Sequence, residues 1–419
     1  MRNKFQAFVQ TLSFYEKLFL VLAMLTGACI TADYAIVKPT SNSIFISSYG
    51  IKAFPYAWLL ALPVNFIFVS LYNKFLPKIG CLRMMWLSVL SIIGLNIYAA
   101  MFISQISWLP FLLYIWKDIY VLFMFQQLWS VIHATVSKER AKFFYGIMFG
   151  VGGLGAVLGS CIPGFFAVKV GSSHLLFMTL PIYLFFAVVY SLALKARSKI
   201  THLDDLKILK EGEAKASQGF KLIKNSKNLQ FILLIVICMQ VTSTILEFQF
   251  NTYLSQKIPH LDQRTEFYGR LFAVINAVNL FLQFIGSFLL VSFIGLRRSH
   301  FLIPSILGLN MLFFFIYPIF QVITYCFSVI KSFDYSIFTI IKEMLYSPLK
   351  IHEKFHAKAL IDVFAYRTSK ALASFLVLFM QSISISFVPL LTIGNIMIFG
   401  LWIFASVYLY REGEEAETA

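Results

Sequence analysis

Several ionisable side chains stand close together in an otherwise apolar part of the sequence: Glu343, Asp362, Arg367 and Lys370. Arg367 and Lys370 are three residues apart, a spacing that puts them on one face of a helix. Lys342 immediately precedes Glu343. A guanidinium presents a rigid fork of donors that suits phosphate oxygens, and an ammonium presents a compact point charge. With Lys342, these two cations could form a patch for an anionic ligand, and Glu343 and Asp362 could balance its charge or form gating pairs.

Further ionisable residues lie in apolar surroundings: Asp33, Lys38, Lys117 and Asp118 in the first half, and Glu247, Lys331 and Asp334 in the second. A charge within a bilayer costs a few kcal/mol, so each is a functional candidate by default. Pairing between helices, or a place near the membrane interface, would explain the same residues without any ligand.

Other motifs carry less. Gly150-Val151-Gly152-Gly153-Leu154-Gly155 satisfies the dinucleotide pattern GxGxxG. That fingerprint needs a preceding strand and a βαβ unit. Here it falls inside an apolar run, with Gly146 and Gly159 continuing the spacing, and close helix packing or hinge bending is expected. His352 and His356 sit in a basic loop with no third ligand, so no metal is expected there. The five cysteines are scattered without metal-ligand or disulfide spacing. No Ser/His/Asp, Cys/His or metal set converges in one region, so no enzyme chemistry and no cofactor are expected.

The elements that must carry these residues follow from composition. The 419-residue chain is 59% hydrophobic and 13% charged, against roughly 45–50% and 25% for soluble domains. Crossing a hydrocarbon core takes about 20 apolar residues as helix. Membrane strands would alternate apolar and polar residues, whereas runs such as Phe231 to Met239 are continuous. The expected class is therefore all-α and polytopic. About twelve spans are expected, near 15–36, 53–73, 82–105, 108–133, 143–168, 174–195, 229–251, 268–293, 300–318, 320–346, 357–383 and 387–410. The formal net charge of +16 does not require nucleic acid. Lys and Arg cluster in alternate short loops, as at Lys74, Lys78 and Arg83, and in the central segment, which predicts cytoplasmic termini.

The two halves echo each other. Ile79-Gly80-Cys81-Leu82-Arg83 recurs as Ile294-Gly295-Leu296-Arg297-Arg298, Ala141-Lys142 as Ala357-Lys358, and Asp118 as Asp334. The shared offset of about 215 residues predicts parallel six-helix repeats, which rock about a site near the midplane in the major facilitator manner. The expected organisation is a bundle at 1–195, a cytoplasmic linker at 196–228, a bundle at 229–411 and a cytoplasmic tail at 412–419.

A family resemblance also enters. Asp334-Tyr335-Ser336-Ile337-Phe338, then Lys342-Glu343-Met344-Leu345-Tyr346-Ser347-Pro348-Leu349, then Lys358-Ala359-Leu360-Ile361-Asp362-Val363 and Arg367-Thr368-Ser369-Lys370 run in order. This resembles the "YSLF…KEMxYxPL…KAxIDVxxxRxGK" run of the bacterial and plastid-type ATP/ADP translocases. Leu246-Glu247-Phe248, Gln127-Leu128-Trp129-Ser130 and Tyr34-Ala35-Ile36-Val37-Lys38-Pro39 are similar to weaker segments of that family.

The resemblance implies a major-facilitator-like carrier that exchanges nucleotides. The family ties transport to a lysine on span one, glutamates on spans four and seven, and a lysine on span eleven. The last two correspond to Glu247 and Lys370. Ser41 and Gln127 stand where the other two charges would be, and Lys38 lies one turn before Ser41. Losing one cation and one carboxylate nearly cancels in net charge, so an anionic substrate fits while ATP itself becomes one candidate among several.

The expected function is alternating-access exchange of a nucleotide or related organic phosphate. Lys370, Arg367 and Lys342 would hold phosphate, with Glu247, Glu343, Asp362, Gln127 and Lys38 as further site residues. The chain is expected to be a monomer in the bilayer of a cell inner membrane. Two alternatives remain open: a proton-coupled carrier of another small anion, and a non-transporting receptor or scaffold.

Overall fold

The computed structural model describes residues 12–136, 138–200, 216–286, 293–346, 361, 365–383 and 387–418. Among these the secondary structure is helical, with no strand. The helices are α1 (Phe14–Tyr49), α2 (Phe54–Ile79), α3 (Cys81–Phe102), α4 (Leu109–Thr135), α5 (Lys138–Val170), α6 (Thr179–Arg197) and α7 (Ala216–Asn225). They continue as α8 (Lys227–Lys257), α9 (Leu261–Phe281), α10 (Leu296–Ile316), α11 (Phe320–Phe333), α12 (Thr339–Leu345), α13 (Tyr366–Ile383) and α14 (Phe387–Thr418). Ten helices among the described residues are long and apolar enough to cross a membrane. The expected span near 320–346 forms as α11 and α12, joined by a π-helical turn over Asp334–Phe338.

Local sequence explains where several helices begin and end. Ser13 and Glu16 form a capping box: Glu16 N–H donates to Ser13 Oγ at 3.2 Å, and Ser13 N–H donates to Glu16 Oε2 at 2.8 Å. Gly50, at φ 73°, ends α1. Gly80 and Gly295 take nearly the same conformation, φ 83° and 85°, each at the N-cap of the helix that follows. Left-handed φ of this kind favours glycine, so the two matched glycines of the sequence share one backbone conformation. α1 runs on to Tyr49 rather than ending near residue 36, with Pro39 inside it. Thr40, Ser41, Asn42 and Ser43 are buried; neighbouring helices therefore hold α1 together past the proline, whose ring removes one backbone bond.

Contacts divide the described chain into two compact units. One takes Met1–Gly50, Pro63–Glu211 and His260–Leu280; the other takes Ile51–Leu62, Gly212–Pro259 and Phe281–Ala419. This differs from a simple cut at the linker in two segments, the start of α2 and nearly all of α9.

In the first unit, α9 docks on earlier helices through small and polar residues. Gly269 abuts Gly164, Arg270 Nε donates to the Gly164 carbonyl at 2.9 Å, and Asn276 donates to Ser160 Oγ at 3.0 Å. The glycine run packs α5 on α1. A Cβ on Gly155 would lie 2.7 Å from Thr31 Oγ1 and 2.8 Å from Ala28 Cα. Thr31 Oγ1 donates to the Gly152 carbonyl at 2.7 Å. The motif is thus a helix-packing seam, as expected. The unit's core gathers Phe19, Met85, Tyr120, Tyr183 and Phe186.

Candidate functional site

α8 and α11 of the second unit carry a ladder of paired polar groups. On α8, residues 240, 243, 247 and 250 recur at three- and four-residue steps and share one face. On α11 and its π turn, residues 334, 331 and 327 do the same in the opposite direction. Gln240 Nε2 donates to Asp334 Oδ1 at 3.1 Å. Lys331 Nζ donates to Ser243 Oγ at 3.0 Å and to Glu247 Oε2 at 2.8 Å. Phe250 stacks on Phe327 at 4.2 Å between centroids, 5° from parallel. The Lys331 and Glu247 side chains are 7% and 14% exposed. Full charges so withdrawn from water need each other, and removing one would strand the other.

Below this ladder the helix widens. In the turn at Asp334–Phe338, Thr339 Oγ1 donates to the Asp334 carbonyl at 2.8 Å, and Gln283 Nε2 donates to the Tyr335 carbonyl at 3.0 Å. Gln283 itself lies in a second π turn, Leu282–Gly286. Such turns leave carbonyls without their usual partners and recur at functional sites. Here side chains satisfy two of them.

Lys370, on α13, is half-buried. Its Nζ sits 5.4 Å from the centroid of Trp58, and Trp58 meets Phe248 edge-on at 6.5 Å. Among the described residues no carboxylate pairs with Lys370, in contrast to Lys331. An aromatic face is a weaker partner for an ammonium than a carboxylate is, so this cation retains most of its capacity to bind an anion. Lys342 and Glu343 are half-buried neighbours on α12. Arg367 lies one turn before Lys370 on α13, and its side chain lies outside the described residues, as does all of Asp362.

The first unit holds the remaining candidates. Lys38 Nζ lies 4.7 Å from the Phe272 centroid and 5.6 Å from that of Tyr34. Tyr34 donates to Asp118 at 3.1 Å, and Asp118 pairs with buried Lys117 at 3.6 Å. Ser41 is fully buried one turn beyond Lys38 and donates to the Lys38 carbonyl at 3.2 Å. Gln127 is buried as well, and its Nε2 donates to the Cys81 carbonyl at 2.6 Å.

The partners of three charged residues escape sequence reasoning. Lys331 is visible there only as one membrane charge among several. Nothing but the fold brings it to Glu247. Asp33 is fully buried and accepts from Tyr120 at 2.7 Å and from Tyr183 at 2.8 Å through one oxygen, while Oδ1 has no partner. Arg264 reads as a loop charge in the sequence, but it is buried in the first turn of α9. Its guanidinium donates to the Ser43 carbonyl at 2.8 Å and to Ser47 Oγ.

The segment that holds Lys331, the π turn, Lys342 and Lys370 also carries a family match: the model for "TLC ATP/ADP transporter" covers residues 319–412. Individual carrier proteins are similar along nearly the whole chain. ADP,ATP carrier protein 3 of Rickettsia bellii is 24% identical, with 95% of each chain covered. The protein of the same name from Rickettsia prowazekii is 25% identical over 93% of this chain and 91% of its own. Among solved structures, a bacterial homologue of the iron transporter ferroportin in an inward-facing state matches with a TM-score of 0.68 at 12% identity. The match covers 95% of this chain and 99% of that one. At that identity the likeness concerns the fold alone. The fold is therefore of the major facilitator type, multi-pass and helical among the described residues, as the apolar runs and the translocase-like segments lead one to expect.

Proposed function

We propose that this chain is a membrane transporter that exchanges a nucleotide or a related organic phosphate by alternating access. The observation that carries the proposal is Lys370, a half-buried cation with an aromatic partner and no described carboxylate. It lies in the segment that matches the TLC model, and the relatives over most of the chain are named ADP,ATP carriers.

Lys370 and Arg367 hold phosphate oxygens, and Lys342 adds a third cation. Trp58 keeps the Lys370 ammonium oriented through its ring. Glu247 balances the Lys331 charge before substrate binds. A phosphate that competes for Lys331 frees Glu247, and this exchange of partners couples binding to rearrangement. Glu343 and Asp362 balance the remaining charge. Lys38 supplies the cation that the family places at the position of Ser41. Gln127 keeps the shape of a carboxylate without its charge. The carrier acts as a monomer in an inner membrane, with repeat halves at 1–195 and 229–411 and with the termini and the 196–228 linker on the cytoplasmic side.

Uptake of labelled ATP, ADP and other nucleotides into proteoliposomes tests this. Saturable uptake that requires a nucleotide inside the vesicle is expected. If no nucleotide is bound or carried, the cargo assignment fails.

A second reading, proton-coupled transport of another small anion, gains support from Asp33. That carboxyl has two tyrosine donors and an orphaned oxygen, and no described cation pairs with it. Collapse of uptake by an uncoupler, with no counter-substrate needed, would favour this reading over exchange.

A further inference from the structure

In the first unit, α2, α3 and α4 border an apolar groove of about 410 Å³, lined by Phe68, Phe75, Leu87, Trp116 and Phe123 among others. Phe68, Phe75 and Leu87 are exposed. On a spanning protein, exposed apolar surface meets acyl chains. Two hydroxyls on the wall are turned into their own helix: Ser88 donates to the Met84 carbonyl at 3.0 Å and Ser91 to the Leu87 carbonyl at 2.6 Å. The wall therefore presents little polarity to an occupant.

Toward the Gly80 turn, the same helix faces lead to cations. Lys78 follows Phe75 by three residues, Lys74 lies one turn before Lys78, and Arg83 precedes Leu87 by four. All three are exposed. No Asp or Glu occurs between Asp33 and Asp118, so neither α2 nor α3 supplies a carboxylate to them. An apolar channel that ends in a cationic cluster is complementary to a molecule with a long chain and an anionic head.

We propose that this groove holds an acyl chain of an anionic phospholipid whose phosphate rests on Lys74, Lys78 and Arg83. None of the proposed phosphate-binding residues lines the groove, and the proposal does not depend on the cargo assigned above. Basic residues at a membrane surface each strengthen attachment to anionic lipid about fivefold.

The test uses the full chain, reconstituted with equal amounts of phosphatidylglycerol and phosphatidylcholine of identical acyl chains, extracted in detergent and examined by native mass spectrometry. Retention of phosphatidylglycerol over phosphatidylcholine by at least about tenfold is expected. The triple variant Lys74→Gln, Lys78→Gln, Arg83→Gln should erase that preference. Ser91→Phe, which fills the groove, should lower retention of both lipids; Ser88→Leu serves the same purpose if the first variant does not fold. Inorganic phosphate should not displace the lipid. Equal retention of the two headgroups, an unchanged preference in the triple variant, full retention in the filled groove, or displacement by inorganic phosphate would each overturn the proposal.

Discussion

Glu247 and Lys331 meet at 2.8 Å across α8 and α11, each largely withdrawn from solvent. Ser243, one turn before Glu247, accepts a second bond from the same ammonium. A buried pair of this kind adds little net stability over an apolar pair of the same size, but each charge depends on the other.

Glu247→Gln or Lys331→Met alone should therefore cost about 3–5 kcal/mol, read as a lower thermal midpoint in detergent. The double variant Glu247→Gln, Lys331→Met should be more stable than the sum of the two single losses implies. Additive losses would mean that the pair is not coupled in the folded protein.

Lys370→Gln should lower nucleotide uptake by at least about tenfold, the scale of one charge-assisted bond to phosphate, with the amount of folded protein unchanged. Lys370→Arg keeps the charge and should retain part of the activity. Wild-type rates in Lys370→Gln would remove this residue from the site.

The glycine seam gives a stability test without any ligand. A Cβ on Gly159 would lie 2.6 Å from Ala32 Cα, whereas nothing stands within 4 Å of one on Gly146. Gly159→Ala should cost about 1–3 kcal/mol through overpacking. Gly146→Ala should be neutral or stabilising by up to about 1 kcal/mol, because alanine favours helix. Thermal melts of the two variants side by side decide it, and equal midpoints would argue against close approach of α1 and α5.

Asp33 separates shape from charge. Asp33→Asn keeps an acceptor for the Tyr120 and Tyr183 hydroxyls and should fold. Asp33→Leu strands both hydroxyls, at about 1–3 kcal/mol for each buried group left unsatisfied. Expression and melting of the two variants give the comparison. If the asparagine variant folds and exchanges nucleotides at the wild-type rate, the charge of Asp33 has no part in transport.

Much of the fold is legible in the sequence because the bilayer imposes a local rule. A helix satisfies its own backbone groups in hydrocarbon, so the length and continuity of apolar runs announce each span without reference to the others. Gly80 and Gly295 were legible for a related reason. A left-handed cap is a property of one residue, and its recurrence exposed the repeat. Span limits were less secure at Pro39 and Leu261. At Pro39, burial of the following polar residues outweighs the proline. At Leu261, Arg264 finds its partners on a helix more than 200 residues away.

The site was legible only in part. That charges stand in the membrane follows from reading the chain, and so does the sharing of a helix face by Arg367 and Lys370. Which charge answers which does not. The choice of Glu247 for Lys331, of Tyr120 and Tyr183 for Asp33, and of Trp58 for Lys370 depends on separations of 84 to 312 residues in sequence. The π turn at Asp334–Phe338 breaks the 3.6-residue period from which helix faces are inferred. The sequence by itself determined that this protein is a helical, membrane-spanning chain with polar residues it must satisfy internally. Only the tertiary structure decided how they are satisfied, because hydrogen bonds and ion pairs between helices depend on distance and direction in space, which residue order does not encode.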